Sequence, residues 1–259
     1  MRSLWLYRRW IWNAALSDFT YRYAGSGLGV LWNVVTPLAM LVVYAIVFTE
    51  FAGQRFGSGS ATAYVLYLSS GFLPWAAFAD CLFRTSNALV VGAPYLKKMP
   101  IPEHLFVAQA AVSASFGMFI AIALLGGLAL VLGQPAAWTW LLLPVVVVLW
   151  QSFGFGLGMV LSTLNAFYRD VGQVLVVALQ VWMWSIPVVY PEEILPAAYR
   201  NALVLNPAYP YLRALREVFL YGRVPEALEW AALIGWTLVT ISLGYVVLRR
   251  CRSDLRDVL

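Results

Sequence analysis

The chain has 259 residues, of which 62% are hydrophobic and 11% charged, and its mean hydropathy is +0.78. Soluble domains carry about 25% charged residues, so this composition excludes an ordinary soluble protein and indicates an integral membrane protein. The net charge of +5 would suggest nucleic acid in a soluble chain, but here the orientation of the loops explains the basic residues. We therefore expect no nucleic-acid partner.

Several kinds of catalytic site are excluded by residue counts. His104 is the only histidine, which excludes HExxH zinc sites and histidine-based triads. The only lysines, Lys97 and Lys98, do not follow a glycine, so the chain has no GxxxxGK[ST] phosphate loop. We therefore expect no cofactor, metal or catalytic residue here, and any nucleotide energy must come from another chain.

The apolar runs predict an all-α integral membrane protein with six transmembrane helices in one transmembrane domain, 1–259. Residues 1–24 are predicted to form an amphipathic interface helix, with a disordered basic tail as the alternative. A bilayer core of about 30 Å needs about 20 helical residues. On that basis the predicted spans are 28–51, 63–83, 105–132, 138–164, 174–190 and 230–248.

The connections between the spans have distinct compositions. Segment 87–103 is broken by three prolines and marked as a surface segment by its two lysines, and 167–173 is short and charged. Segment 191–227 predicts two short helices that dip into the outer leaflet as a lid, or else an ordinary external loop. With the N-terminus inside, twelve of the 17 basic residues lie on the inner side, which predicts that both termini are cytoplasmic.

The charged and aromatic residues of the spans leave few chemical options. Asp80 and Asp170 each have a nearby arginine, so an embedded enzyme is weakly supported, and the unpaired charge expected of a channel is nearly absent. Aromatic side chains recur instead, either as lipid-facing or packing residues or as a pore wall that stacks on sugar rings. The candidate channel residues are Tyr44, Phe48, Phe72, Trp75, Phe78, Trp182 and Tyr190.

Six stretches, spread in order through nearly the whole chain, carry a resemblance to a known family. They are YRYAGSGLGVLWNVVTPLAMLVVYAIVF, YLSSGFLPWAAF, YLKKMPIPEHL, LNAFYRDVGQVL, SIPVVYP and LNPAYPYLRALREVFLYGRVP. In these stretches the chain resembles the permease subunit of type-2 ATP-binding-cassette exporters, the branch that moves O-antigen, teichoic acid and capsular polysaccharides. Where that family often has a phenylalanine before the proline of its KK-x-P motif, this chain has Met99 before Pro100.

The resemblance implies a homodimer that binds two copies of a separate ATPase subunit, which hold the ATP and Mg. It also implies export of a lipid-linked polysaccharide across the cytoplasmic (inner) membrane of a bacterium. The chain would contact membrane lipids there. By similarity the re-entrant outer gate helices, between spans 5 and 6, would carry Glu192, Arg213, Arg216 and Glu217. The ATPase-coupling residues would be Asn87, Tyr95, Leu96, Lys97, Lys98, Arg169 and Asp170.

Two alternatives remain open from the sequence. One is a related permease for a small lipid or drug. Whether long glycans or small amphiphiles stimulate the ATPase would distinguish this permease from a polysaccharide exporter. The other is a non-transporting scaffold or transferase subunit, which predicts that no ATPase partner is recovered in mild detergent.

Overall fold

The computed structural model describes residues 2–52, 61–98 and 101–258, and the regular structure in these ranges is helical. Short 3-10 turns at Gly29–Leu31, Trp138–Leu142 and Glu192–Ile194 join some of the helices. The helices are α1 Arg2–Leu6, α2 Arg8–Tyr21, α3 Trp32–Ala52, α4 Ala61–Leu96, α5 His104–Val131, α6 Leu143–Phe167, α7 Val171–Ser185, α8 Ala197–Leu203, α9 Tyr209–Phe219, α10 Ala227–Arg250 and α11 Arg252–Val258.

Five helical segments in the described ranges are long and apolar enough to cross a membrane. They are Gly29–Val47, Thr62–Leu96, His104–Val131, Trp138–Phe167 and Ala227–Arg250. The predicted fifth span, 174–190, holds only α7, whose 15 residues reach about 23 Å. Helix α7 ends at Ser185 because Ile186 precedes Pro187 and adopts an extended conformation. Alone, α7 is shorter than the bilayer core.

Helix α4 is longer than the predicted second span. It continues past residue 83 to Leu96, giving 36 residues and a length of about 54 Å. Pro94 lies in the last turn and removes one backbone hydrogen bond, but the helix continues through it into the segment that the prolines were expected to interrupt. The first part of segment 87–103 is therefore a rigid continuation of a membrane helix; Met99 and Pro100 lie outside the described residues.

Helices α4, α5, α6 and α10 pack around one main core. Its largest fully buried side chains include Phe78, Trp150 and Phe153. Helices α6 and α10 approach closely where two glycines meet: a Cβ atom on Gly244 would lie 2.5 Å from the carbonyl oxygen of Gly156. Small residues at such a crossing allow the two backbones to touch, and this contact fixes the position of α10 against α6.

The N-terminal helix α2 packs along α5. Ile11, Ala15 and Phe19 form its buried face at four-residue spacing, and Asn13 and Ser17 on the opposite side are exposed. Phe19 also makes an edge-to-face contact with Phe116 of α5, with 5.4 Å between ring centroids. The segment is therefore an ordered two-faced helix rather than a disordered tail.

Candidate functional site

The connection after α7 contains two short helices, α8 and α9. Asn206 sets the start of α9, because its Oδ1 accepts hydrogen bonds from the backbone N–H of Ala208 at 3.1 Å and from Trp182 Nε1 at 2.9 Å. Most of α9 is buried against α4, α6 and α10. The tyrosine Tyr211 is fully buried, and its hydroxyl donates to the carbonyl of Leu233 in α10 at 2.8 Å.

Arg216 is the central residue of this region. The residue is 5% exposed, and its guanidinium lies 3.8 Å from the centroid of the Tyr67 ring. Its Nη1 atom donates to the Pro187 carbonyl at 2.6 Å and to the Tyr67 hydroxyl at 2.7 Å, and Nη2 donates to the Val188 carbonyl at 2.9 Å. One side chain of α9 thus binds α4 and the chain just after α7. We call Arg216, Tyr67, Pro187, Val188 and Gly71 the gate cluster.

Gly71 makes room for this arrangement. A Cβ atom at position 71 would lie 2.5 Å from the Val188 carbonyl oxygen and 2.6 Å from Arg216 Nη2. Position 71 of α4 therefore has to lack a side chain so that the Arg216 guanidinium can reach the Val188 carbonyl.

The groups that bind the Arg216 guanidinium are neutral. No carboxylate in the described ranges lies within ion-pair distance of it, and the carbonyl and hydroxyl oxygens take that place. Burial lowers the pKa of Arg216, but an arginine stays protonated in proteins. The cluster therefore holds a fixed positive charge inside the protein.

The other predicted gate residues lie around this cluster. Tyr209 donates to Glu192 Oε2 at 2.7 Å; burial and then this hydrogen bond raise the pKa of the Tyr209 hydroxyl. Arg213 forms an ion pair with Glu229 at 2.8 Å, and Glu217 is half-buried. Three of the four predicted gate residues thus bind other elements at the same end of the bundle.

The predicted channel aromatics form a packed cluster within the chain. Phe72, Trp75 and Phe78 are 8%, 3% and 0% exposed, which favours a packing role for these three rings. Tyr44 packs edge-to-face on Phe72 with centroids 5.1 Å apart, and Trp182 on Trp75 at 5.7 Å.

The remaining channel residues lie at the margin of that cluster. Tyr44, Trp182 and Tyr190 are half-buried, so part of each ring reaches the surface of the chain. Helix α3 carries Phe48, but that side chain lies outside the described residues. These three half-buried rings are therefore the better candidates for a pore wall.

At the opposite end of the bundle, Asn165 joins α4 to the turn between α6 and α7. Its Nδ2 donates to the Ser86 carbonyl and to Asn87 Oδ1, both at 3.1 Å, and its Oδ1 accepts from the Gly172 N–H at 3.1 Å. The predicted coupling residues Arg169 and Asp170 lie exposed in that turn. The two predicted coupling regions are therefore connected through Asn165.

The other predicted coupling residues lie at the end of α4. Tyr95 is 59% exposed and packs flat on Phe106, and Lys97 and Lys98 are exposed in the following turn. Leu96 is buried at 4% and fixes the end of the helix in a second core cluster. The arrangement presents two cations and one ring from a fixed helix end.

Comparison with known proteins assigns the architecture. Residues 11–220 match the model of the ABC-2 type transporter membrane family. The chain belongs to that family. The match includes most of α2, the gate cluster and both predicted coupling regions, so each lies within the matched ABC-2 transporter domain.

Relatives of this ABC-2 transporter chain align over nearly its full length. It is 26% identical to the O-antigen export system permease protein RfbA of Myxococcus xanthus, over 99% of this chain and 98% of that protein. A Klebsiella pneumoniae protein of the same name is 23% identical over 88% and 86%. The polysialic acid transport protein KpsM of Escherichia coli is 21% identical over 90% of both chains.

Sequence reasoning missed three residues that hold these sites together in the ABC-2 transporter chain: Tyr67, Gly71 and Asn165. Arg216 itself was named as a gate residue through the resemblance of the stretch LNPAYPYLRALREVFLYGRVP to the exporter permeases. Tyr67 and Asn165 act through contacts 149 and 78 residues away, which no local spacing reveals.

Proposed function

We propose that this chain is the permease half of an ATP-driven exporter that moves a lipid-linked polysaccharide across the bacterial inner membrane. The observation that carries the proposal is the end-to-end similarity to an O-antigen export permease, 99% of this chain against 98% of that protein. The apolar helices and the absence of a phosphate loop from the sequence agree with a transport subunit that takes ATP and Mg in a separate ATPase.

In the proposed assembly two copies of this chain form a homodimer, and each binds one ATPase subunit. The helices α3 and α7 support this arrangement, because each has an apolar exposed face. Between them they expose Val35, Val42, Val43, Ile46, Val174, Val177 and Val181. A glycan route between two copies would be wider than one between helices of a single chain, and two-fold dimers are the commonest closed assembly.

The sixth crossing of the proposed topology is α7 together with the outer segment that follows it. Pro187 and Val188 are buried after the helix ends, and their carbonyls bind Arg216 rather than lipid. Backbone outside a helix is tolerated at membrane depth when protein buries it. Both termini would then be cytoplasmic, with α2 at the inner interface and α8 and α9 as the outer gate.

Coupling would run from the ATPase to the end of α4. The exposed cations Lys97 and Lys98 and the turn bearing Arg169 and Asp170 would contact the ATPase, and Asn165 would make the two regions move together. The glycan would pass the half-buried rings of Tyr44, Trp182 and Tyr190, whose faces suit the C–H groups of sugars.

The test is co-purification of this chain with its co-expressed ATPase, followed by ATPase assays in lipid nanodiscs. We expect stimulation by lipid-linked glycan extracted from the producing cells and none by small amphiphiles. Stimulation by the amphiphiles alone would favour a small-lipid or drug permease. Failure to recover any ATPase subunit would favour a scaffold or transferase subunit.

A further inference from the structure

Two clefts open on α4 and share a wall formed by Asp80 and Arg84. The first, about 470 Å³, lies between α2, α4 and α5 and reaches Tyr95. The second, about 400 Å³, lies between α3, α4 and α5 and reaches Phe72. Both volumes fall in the range of ligand pockets, about 300–1,000 Å³. We call the pair the α4 cleft.

The α4 cleft follows the helix for most of the thickness of a bilayer. Tyr95 and Phe72 are 23 residues apart, which on an α-helix is about 35 Å, against a hydrocarbon core of about 30 Å. One end lies beside the predicted coupling residues and the other at the ring pair of Phe72 and Tyr44. The α4 cleft thus leads from the inner end of α4 towards the half-buried aromatic rings.

The charged groups at the shared wall neutralise one another. Arg84 Nε binds Asp80 Oδ2 at 2.6 Å, Arg22 Nη1 lies 3.8 Å from the same oxygen, and Arg22 Nη2 lies 3.5 Å from Asp18 Oδ2. Two acids and two arginines leave no net charge to attract an anion or a cation. The wall therefore favours a neutral ligand that both donates and accepts hydrogen bonds.

The rest of the lining has the chemistry that sugars need. Planar amides and a hydroxyl line the walls: Asn87 and Gln109 in the first cleft, Asn33 and Thr36 in the second. Aromatic rings stand beside them, and Trp32 in the second cleft is 45% exposed. In addition, Asn33 Nδ2 is buried without a hydrogen-bond partner among the described residues. A ligand hydroxyl that accepts a hydrogen bond from it would remove the free-energy cost of that unpaired donor.

We infer that the α4 cleft is a saccharide-binding site, which holds neutral sugar residues of the glycan as it leaves the cytoplasmic leaflet. The inference rests on the proposed function and adds a location and a ligand chemistry to it. Acidic, amide and guanidinium groups bind the hydroxyls, and the rings of Trp32 and Tyr95 contact sugar faces at the two ends.

The experiment uses the complete transporter with its ATPase in nanodiscs, and the probe is the oligosaccharide released by mild acid from the lipid-linked glycan of the same cells. Binding is measured by calorimetry and by saturation-transfer NMR. We expect Asn33→Leu and Gln109→Leu each to weaken binding about fivefold, the effect of one neutral hydrogen bond. Asn201→Leu and Gln173→Leu, at exposed positions of α8 and α7, are the matched controls and should bind normally.

Gly117→Leu gives a second route to the answer. Gly117 lines the second cleft, and a Cβ atom there meets no atom within 4 Å, so the new side chain fills the cleft without displacing the backbone. We expect this variant to keep its thermal stability and to lose oligosaccharide binding. Wild-type affinity in all three cleft variants, or no measurable binding by a parent that exports glycan, would overturn the inference alone. A parent that neither exports glycan nor responds to it would instead refute the proposed function.

Discussion

Replacing Arg216 with methionine tests whether the gate cluster stabilises the chain. The change keeps an unbranched side chain but removes every donor, so the buried carbonyls of Pro187 and Val188 lose the bonds they accept at 2.6 and 2.9 Å. A buried group left without its partner costs about 1–3 kcal/mol, so the two carbonyls together cost roughly 2–6 kcal/mol. Removing a buried charge returns part of this. We expect a net loss of about 3 kcal/mol.

The assay is thermal unfolding of the purified chain in detergent, followed by size-exclusion chromatography. For a chain of this size each kcal/mol lowers the Tm by about 2–4 °C, so Arg216→Met should unfold about 6–12 °C below the parent. Arg200→Met is the matched control, because Arg200 is exposed on the neighbouring helix α8 and should change the Tm little.

A lysine at position 216 separates charge from geometry. Lysine keeps the positive charge but lacks the planar fork that bonds Tyr67, Pro187 and Val188 together. We expect Arg216→Lys to recover at most a small part of the lost stability. Full recovery by lysine, or an Arg216→Met protein that unfolds with the parent, would refute the assignment of a forked contact.

Three further predictions follow from single contacts. Gly71→Ala should lower the Tm by several degrees because its Cβ meets the Val188 carbonyl at 2.5 Å, whereas Gly127→Ala, in open space on α5, should not. Gly244→Ala should likewise separate α10 from α6 and lower the Tm, with Gly235→Ala on the same helix as the unaffected control. The double change Lys97→Glu and Lys98→Glu reverses two exposed charges. It should abolish both export and the stimulation of the partner ATPase without lowering the Tm. Unchanged ATPase stimulation and export would exclude a contact with the ATPase that depends on these two charges.

Apolar run length predicted the membrane helices well because burial in lipid needs only composition and length. The first four predicted spans coincide with long helices, and so does the last. The errors lie at helix ends, where local rules compete with packing. Pro94 was expected to interrupt the chain after the second span, but α4 continues because its last turns are buried through Leu89 and Leu96.

The candidate site was predictable from the sequence only in part. Arg216 was named through the resemblance to a known family, but its neutral partners were not, because a carbonyl such as that of Pro187 exists at every position of a chain. The aromatic spacing on α4 was visible, yet spacing alone cannot distinguish a pore wall from a core. The burial of Phe78 against Trp150 and Phe153 comes from the tertiary packing of α6 on α4.

Helix α4 connects the two ends of the proposed mechanism. Tyr67 in the gate cluster and Tyr95 beside the coupling lysines are 28 residues apart on one helix, about 42 Å. In the proposed mechanism a displacement of its inner end would therefore reach Arg216, because the helix continues without a break through Pro74. Because Arg216 is held by carbonyls and a hydroxyl, separating it leaves no buried carboxylate behind, and the proposed gate would open at lower cost than one closed by a buried ion pair.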